Sequence, residues 1–452
     1  MEHANIELQR GIGLRGAIAL NMTDMIGVGP FITLPLIVQA MGGPQALIGW
    51  VAGAGFALCD GLVWAELGAA MPAAGGTYHY LREIYGREGW GKFISFLFLW
   101  QMLFSAPLLM ASGCIGMALY ATYLWPTLHA AWLAMAASLV ALALAYRQST
   151  WISRISQWLW AGVLLTVALV IIAGVTHFDP QRAFAFPPHA FQFSSGFFIG
   201  LGSAMLIATY DYWGYENANF VASEIIRPER NLPRAILISI LVVGALYTVM
   251  NISVLGVIPW QELTAAGQHP IQSFVVSVFM ERLYGATAAA VVTVLIIWTA
   301  FASVFSLLVG YSRVLYAAAS DGNFLSAFAH LNRRGRFPDL ALLALGLATA
   351  ACCWFSLEAV ITALVVISVL LKYLLQAVGL ILLRRRQPDL PRPFRMPGYP
   401  APAIVAIVGF LFLLFAPAGA ARELGYALLI LAAGAVVYYI RGRVDSRARA
   451  RL

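Results

Sequence analysis

Long apolar runs alternate along the chain with short breaks that are rich in charged residues, proline or glycine. A run of about 20 apolar residues is long enough for a helix to cross the hydrocarbon core of a bilayer. The pattern predicts twelve spans, at residues 16–40, 44–71, 93–124, 128–146, 155–175, 196–222, 234–257, 286–318, 338–356, 359–383, 402–418 and 422–441.

The composition supports the same class of protein. Hydrophobic residues make up 61% of the chain and charged residues 11%. One globular core cannot cover that much apolar surface, so lipid must cover the remainder. We therefore predict an all-α polytopic membrane protein of the cell membrane. No removable signal peptide is predicted before Arg15, so the first span is retained.

The basic residues predict how the spans are oriented. If the N-terminus lies inside the cell, every Lys and Arg falls on the cytoplasmic side except Arg182, Arg282, Arg422 and the intramembrane Lys372. Such an asymmetry predicts that both termini are cytoplasmic. The excess positive charge is scattered over short loops, so the expected partner is the lipid bilayer and not a nucleic acid.

The loops leave no room for a soluble catalytic domain. An intramembrane enzyme would need a Ser/His, paired-Asp or metal constellation. All seven histidines fall at or beyond the ends of the predicted spans, and the four cysteines lie within spans at spacings that fit no zinc site. We predict no enzymatic activity, no cofactor and no metal.

The first span is interrupted by "DMIGVGPFITLP", residues 24–35. Gly27 and Gly29 lower helix propensity, and Pro30 cannot donate a backbone hydrogen bond. The helix is expected to unwind here, so that the amides opening the next helical segment face an anion. The alternative is that the glycines only allow close packing of neighbouring helices.

The sixth span contains a second polar interruption around Asp211, Gly214 and Glu216. Ionisable groups at this depth are costly and usually mark a transport pathway or its partner. The sixth span runs opposite to the first, as in inverted repeats whose broken helices meet near the midplane. The freed carbonyls of this break are expected to hold an amine.

Five segments carry a resemblance to the amino acid–polyamine–organocation (APC) superfamily over nearly the whole chain. They are Gly27–Phe31, "WAELGAAMPAAGGTYHYLREIYG" (64–86), "NFVASEIIRPERNLPRAI" from Asn219, "GYSRVLYAAASDGNF" from Gly310, and "LRRRQPDLPRPFRMPGYP" (383–400).

The resemblance implies a five-plus-five inverted repeat followed by two further helices, with broken helices 1 and 6. It also implies a secondary transporter that works by alternating access on amino acids or related amines. The expected organisation is a cytoplasmic N-terminus (1–15), a first repeat (16–175), an outer loop (176–195), a second repeat (196–383), a cytoplasmic loop (384–401), helices 11 and 12 (402–441) and a basic cytoplasmic tail (442–452).

The resemblance also implies roles for individual residues. By position, the amides of Gly27, Val28 and Gly29 receive the substrate carboxylate, and Tyr210 closes over the substrate. The carbonyls of Tyr212, Trp213 and Gly214 receive the amino group, and Tyr215 and Glu216 shape the side-chain pocket. Interhelical packing is the alternative role for Trp213 and Tyr215.

Asp24 and Asp211 depart from the family pattern, in which smaller residues are common. They are expected to bind an extra cationic group, to carry a coupling proton, or to pair with Lys372. The Gly-Pro-Phe sequence at Pro30 resembles that of the polyamine-symporting branch at this site. Lys372 and Gln376, in contrast, disfavour a polycation. A zwitterionic amino acid is therefore the first expectation and a polyamine or other organic amine the second.

The form of energy coupling stays open at this point. Several sodium-independent members carry a lysine in the fifth helix, but the matching position here is Gly162 or a neighbour. Proton coupling, cation coupling and exchange are the alternatives. A nutrient sensor or a channel is less favoured, because the tail is short and the sequence has no selectivity-filter repeat.

Overall fold

The computed structural model describes residues 10–73, 75–146, 149–265, 271, 273–332, 337–415 and 420–449. In these ranges the chain is helical, and its extended pairing is limited to isolated bridging. The residues before position 10 and the end of the predicted tail lie outside the described part. The helices are α1 (Leu14–Met25), α2 (Gly29–Met41), α3 (Leu47–Ala70), α4 (Thr77–Ile84), α5 (Trp90–Leu124), α6 (Ala130–Ala145), α7 (Ser149–Thr176), α8 (Pro180–Ala183), α9 (Ser195–Tyr212), α10 (Asn217–Phe220), α11 (Pro228–Leu255), α12 (Trp260–Thr264), α13 (Val275–Tyr284), α14 (Ala286–Ser320), α15 (Asp339–Cys352), α16 (Leu357–Ser368), α17 (Leu375–Arg386), α18 (Ala401–Phe415) and α19 (Ala420–Arg449).

Several helices are long and apolar enough to cross a membrane. Six qualify singly within the described ranges, and the bent pair of α1 and α2 makes a seventh. Shorter apolar helices cover Ala130–Ala145, Asp339–Cys352, Ala401–Phe415 and Leu424–Ile440. The all-α prediction is confirmed. The count of twelve spans and the inverted repeat stay predictions.

The first predicted break is confirmed. α1 ends at Met25 and α2 begins at Gly29, with an angle of 46° between the two helices. Pro30 lies in the first turn of α2, where its missing N–H costs nothing. The break therefore follows from the local sequence.

The second break lies between α9 and α10. Trp213 is extended, and Gly214 has φ +119°, a conformation that favours glycine. A Cβ on Gly214 would lie 2.7 Å from Cβ of Asp24, so the two breaks are in close contact. The Tyr247 hydroxyl of α11 donates to the Met25 carbonyl at 2.6 Å and lies 3.3 Å from the Asp211 carbonyl. One side chain of α11 thus contacts the backbone of both breaks.

A third irregularity was not predicted. Residues Val369–Leu374, between α16 and α17, form a π-helical segment that contains Lys372 and Tyr373. π-helical turns are rare and frequently occur at functional sites. This one presents both side chains to the second break.

Backbone pairing joins the start of the chain to the residues after α10. The amides of Gly11 and Ile12 donate to the Glu224 carbonyl at 2.9 and 3.0 Å, and the Ile226 amide donates to the Ile12 carbonyl at 2.9 Å. We call this pairing the N-terminal clasp. Glu224 also lies 3.9 Å from Arg313 of α14, in agreement with a loop-fixing role for its carboxylate.

A buried carboxylate fixes the connection between α17 and α18. Glu66 of α3 is fully buried and accepts hydrogen bonds from Arg384 at 2.8 and 2.6 Å and from the Met396 amide at 2.7 Å. Nε of Arg392 lies 3.5 Å from the same carboxylate. The connection is therefore held against α3 by charge as well as by packing.

Candidate functional site

A cavity lies where the two breaks face each other. Its wall combines glycine backbone, carboxylates and aromatic rings. It is lined by Asp24, Met25, Gly27, Val28, Gly29, Leu109, Gly113, Tyr210, Asp211, Trp213, Gly214, Glu216, Asn217, Phe220, Ser303, Leu307 and Tyr311.

The first break contributes hydrogen-bond donors to this wall. In the described part of the chain, the amides of Gly27, Val28 and Gly29 make no backbone hydrogen bond. They stand at the N-terminal end of α2, where the helix dipole favours negative charge. This arrangement suits a carboxylate.

The second break contributes acceptors. Trp213 donates its amide to the Thr209 carbonyl, and the Gly214 amide turns to the Glu216 carboxylate at 3.1 Å. Among the described residues, the carbonyls of Tyr210 and Tyr212 accept no backbone hydrogen bond. The two breaks therefore have opposite polarity.

Asp211 lies directly against the first break. Its Oδ2 accepts a hydrogen bond from the Thr33 hydroxyl at 2.6 Å, while Oδ1 has no hydrogen-bond partner in the described residues. A Cβ added to Gly29 would lie 1.9 Å from Oδ1. Only glycine allows this carboxylate to approach the backbone so closely.

Asp24 is the second buried carboxylate of the cavity. Ser306 lies near it, but neither carboxylate oxygen makes a hydrogen bond of good geometry with the described residues. Its backbone carbonyl accepts from Ser303 at 3.4 Å. A buried carboxylate needs a partner, which a proton or an ammonium group can supply.

Lys372 forms an ion pair with Glu216. Its Nζ lies 2.6 Å from Oε1 of Glu216 and 3.1 Å from the Tyr311 hydroxyl. The Tyr373 hydroxyl donates to the same Oε1 at 2.8 Å. Lys372 therefore pairs with Glu216 and not with Asp24 or Asp211, the two partners expected from the sequence.

Most of the predicted binding residues line the cavity, but two do not. The Tyr212 hydroxyl lies 3.2 Å from the Trp50 carbonyl, and the Tyr215 hydroxyl donates to Asp60 at 2.6 Å. Both hydroxyls bond to α3, so these tyrosines tie the second break to its neighbour. Trp213 does both: it lines the cavity and stacks on Tyr373 with ring centroids 4.7 Å apart.

The contribution of α14 to the cavity was not predicted. Ser303, Leu307 and Tyr311 line it from one helix face. Their spacing of four residues places them on one face, which Thr299 and Ser306 make polar, and this was the available signal. Leu109 and Gly113 of α5 also line the cavity, and their spacing gave no comparable polar signal.

Comparisons with known proteins identify the family of the chain. The amino acid permease family matches residues 12–438. The chain is 29% identical to the Asc-type amino acid transporter 1 of Homo sapiens, over 96% of this chain and 83% of that protein. It is 29% identical to the large neutral amino acids transporter small subunit 2 of Rattus norvegicus, over 96% and 81%. It is 26% identical to the serine/threonine exchanger SteT of Bacillus subtilis (strain 168), over 96% and 97%.

Proposed function

Because this chain belongs to the amino acid permease family, it is a multi-pass membrane transporter and not an enzyme, and we propose that it exchanges small neutral amino acids. The names of its relatives support amino acids as the substrate class, although one of them refers to large neutral amino acids. The similarity to a serine/threonine exchanger supports both exchange and a small side chain.

The opposite polarity of the two breaks carries the proposal. The free amides of Gly27, Val28 and Gly29 suit the carboxylate of an amino acid. The free carbonyls of the second break, with Oδ1 of Asp211, suit its ammonium group. A zwitterion bridging the two breaks would satisfy donors and acceptors together.

The proposed architecture follows from the same pair of breaks. We propose inverted repeats at residues 16–175 and 196–383, which alternate access to the cavity while both termini stay cytoplasmic. Broken helices that meet around a central site are typical of such transporters. The close contact between Gly214 and Asp24 supports this assignment.

The proposal is tested first by ligand stabilisation of the purified protein. Serine, threonine and alanine are expected to raise its thermal midpoint, because a ligand that binds only the native state stabilises it. Ethanolamine, the decarboxylated form of serine, is not expected to do so. Proteoliposomes loaded with unlabelled serine should then take up labelled serine faster than empty ones. Equal uptake in both would contradict exchange.

An organic amine is the second candidate substrate. Asp24 and Asp211 both lack a cationic partner in the described part of the cavity, and Lys372 is already paired with Glu216. Because its charge is balanced by Glu216, Lys372 repels a cationic ligand less than an unpaired ammonium group would. Stabilisation by putrescine or spermidine alone, with no effect of any amino acid, would favour this candidate over the first.

Beside exchange, we propose a slower proton-driven net uptake in which Asp24 binds the proton. Asp24→Asn keeps the size of the side chain but removes its ability to exchange a proton. We expect uptake driven by a pH gradient to fall about ten-fold or more, while serine exchange stays near the wild-type rate. Both are measured in the same proteoliposomes. Asp389→Asn, which changes an exposed carboxylate, is the matched control. Unchanged pH-driven uptake in Asp24→Asn would contradict this role.

A further inference from the structure

The ion pair of Lys372 and Glu216 lies at the second break, where Glu216 lines the cavity. Both side chains are buried, with exposures of 6% and 3%. Glu216 lines the cavity, whereas Lys372 lies outside the lining and reaches Glu216 from the π-helical segment. The cavity wall therefore contains a carboxylate whose charge is balanced by a group outside the wall.

The surroundings of Lys372 hold its ammonium group in place. Nζ lies 5.4 Å from the ring centroid of Phe220, 5.6 Å from that of Tyr311 and 5.0 Å from that of Tyr373. Faces of aromatic rings attract cations at these distances. Phe220 and Tyr311 also line the cavity, so aromatic rings lie between the ammonium group and the cavity, and Asn217 adds a polar side chain to the same lining.

The pair has an electrostatic consequence for a bound substrate. A buried carboxylate without its counter-ion would attract a cationic group strongly, because the surroundings screen charge poorly. With Lys372 in contact, the charge of Glu216 is balanced, so this carboxylate does not attract a cationic side chain. Oδ1 of Asp211, which has no hydrogen-bond partner in the described residues, is the carboxylate oxygen proposed to bind the α-ammonium group.

We infer that Lys372 is a specificity-determining residue: as the internal counter-ion of Glu216, it makes the transporter select neutral over cationic amino acid side chains. This inference rests on the proposed function, and it concerns the side-chain end of the same site. It predicts that each half of the pair, removed singly, changes selectivity in an opposite sense.

The first test replaces Lys372 with methionine, which keeps the length of the side chain without its charge. Competition by ornithine and lysine against labelled serine is measured in proteoliposomes. We expect their inhibition constants to fall roughly ten-fold or more, because Glu216 becomes available to a cationic side chain. Lys92→Met is the matched control, since the Lys92 side chain is 41% exposed and its Nζ lies 3.9 Å from Glu88. Its selectivity should equal that of the wild type.

The second test is Glu216→Gln, which leaves Lys372 without a counter-ion. We expect competition by aspartate and glutamate to strengthen, while competition by ornithine stays as weak as in the wild type. The double variant Glu216→Gln/Lys372→Met removes both charges and should regain neutral selectivity. Each single variant has its own predicted direction of selectivity change, so one folded single variant is enough to support or contradict the inference.

A folded Lys372→Met or Glu216→Gln variant that exchanges serine with unaltered selectivity would overturn the inference. A uniform loss of affinity for every ligand in the folded single variants would also overturn it, since that is the result of a purely structural pair. Failure of the wild type to exchange any amino acid would instead contradict the proposed function. The wild-type measurement therefore distinguishes the two failures.

Discussion

Replacing Gly29 with alanine is expected to lower substrate affinity and exchange rate by about 100-fold, because small misplacements in a preorganised site have effects of that size. The added Cβ would lie 1.9 Å from Oδ1 of Asp211 and 3.2 Å from Cε1 of Tyr210. Asp211 cannot move aside freely, since it is buried and its other oxygen bonds to Thr33 at 2.6 Å. The clash can be relieved only within the site, either by breaking that hydrogen bond or by displacing the three free amides.

Gly55→Ala provides the control for this experiment. A Cβ on Gly55 of α3 would have no heavy atom within 4 Å, so exchange should stay at the wild-type level. Serine-dependent stabilisation and serine exchange are measured for both variants after each has been shown to elute as a single folded species. Wild-type affinity in folded Gly29→Ala would mean that the substrate carboxylate does not use this break.

Replacing Glu66 with glutamine is expected to destabilise the protein by roughly 3–5 kcal/mol, as is typical when one partner of a buried ion pair is lost. The amide keeps the size of the side chain but cannot balance the charges of Arg384 and Arg392, which lie 2.6 and 3.5 Å from the carboxylate. Glu66 also accepts from the Met396 amide, so the connection between α17 and α18 should loosen from α3. The thermal midpoint in detergent should fall accordingly.

The matched control is Glu83→Gln, which removes one partner of a more exposed pair. Glu83 lies 2.7 Å from Arg87, whose side chain is 72% exposed, so the loss should be at most about 1 kcal/mol. If the two variants shared the same midpoint, Glu66 would contribute no more than an ordinary surface pair. Protease sensitivity of the connection between α17 and α18 reports its release independently of the midpoint.

The positions of the two breaks could be predicted because their causes are local. Gly27, Gly29 and Pro30 weaken the helix where they stand, and a polar run around Gly214 is too costly for a lipid-facing helix. The donors of one break and the acceptors of the other followed from the same local reasoning. For this reason the sequence alone predicts Gly27, Gly29 and Asp211 as binding-site residues.

The partners of the charged residues could not be predicted in this way. Lys372 and Glu216 lie 156 positions apart, and the π-helical segment that brings them together has no clear signature in the sequence. The helical wheel of α14 shows a polar stripe but not which neighbour that stripe faces. The partner of Tyr215 could not be predicted either, since its hydrogen bond to Asp60 depends on how α3 packs against the second break. These contacts follow from tertiary packing, which a single sequence leaves undetermined.

The N-terminal clasp makes the two broken helices mechanically dependent on each other. Gly11 and Ile12 bond to Glu224, and Ile226 bonds back to Ile12. A rotation of α1 at this end is therefore expected to move the residues after α10 as well. Separate motion of the two would require three backbone hydrogen bonds to break. We therefore expect the start of α1 and the residues after α10 to move together when substrate binds at either break.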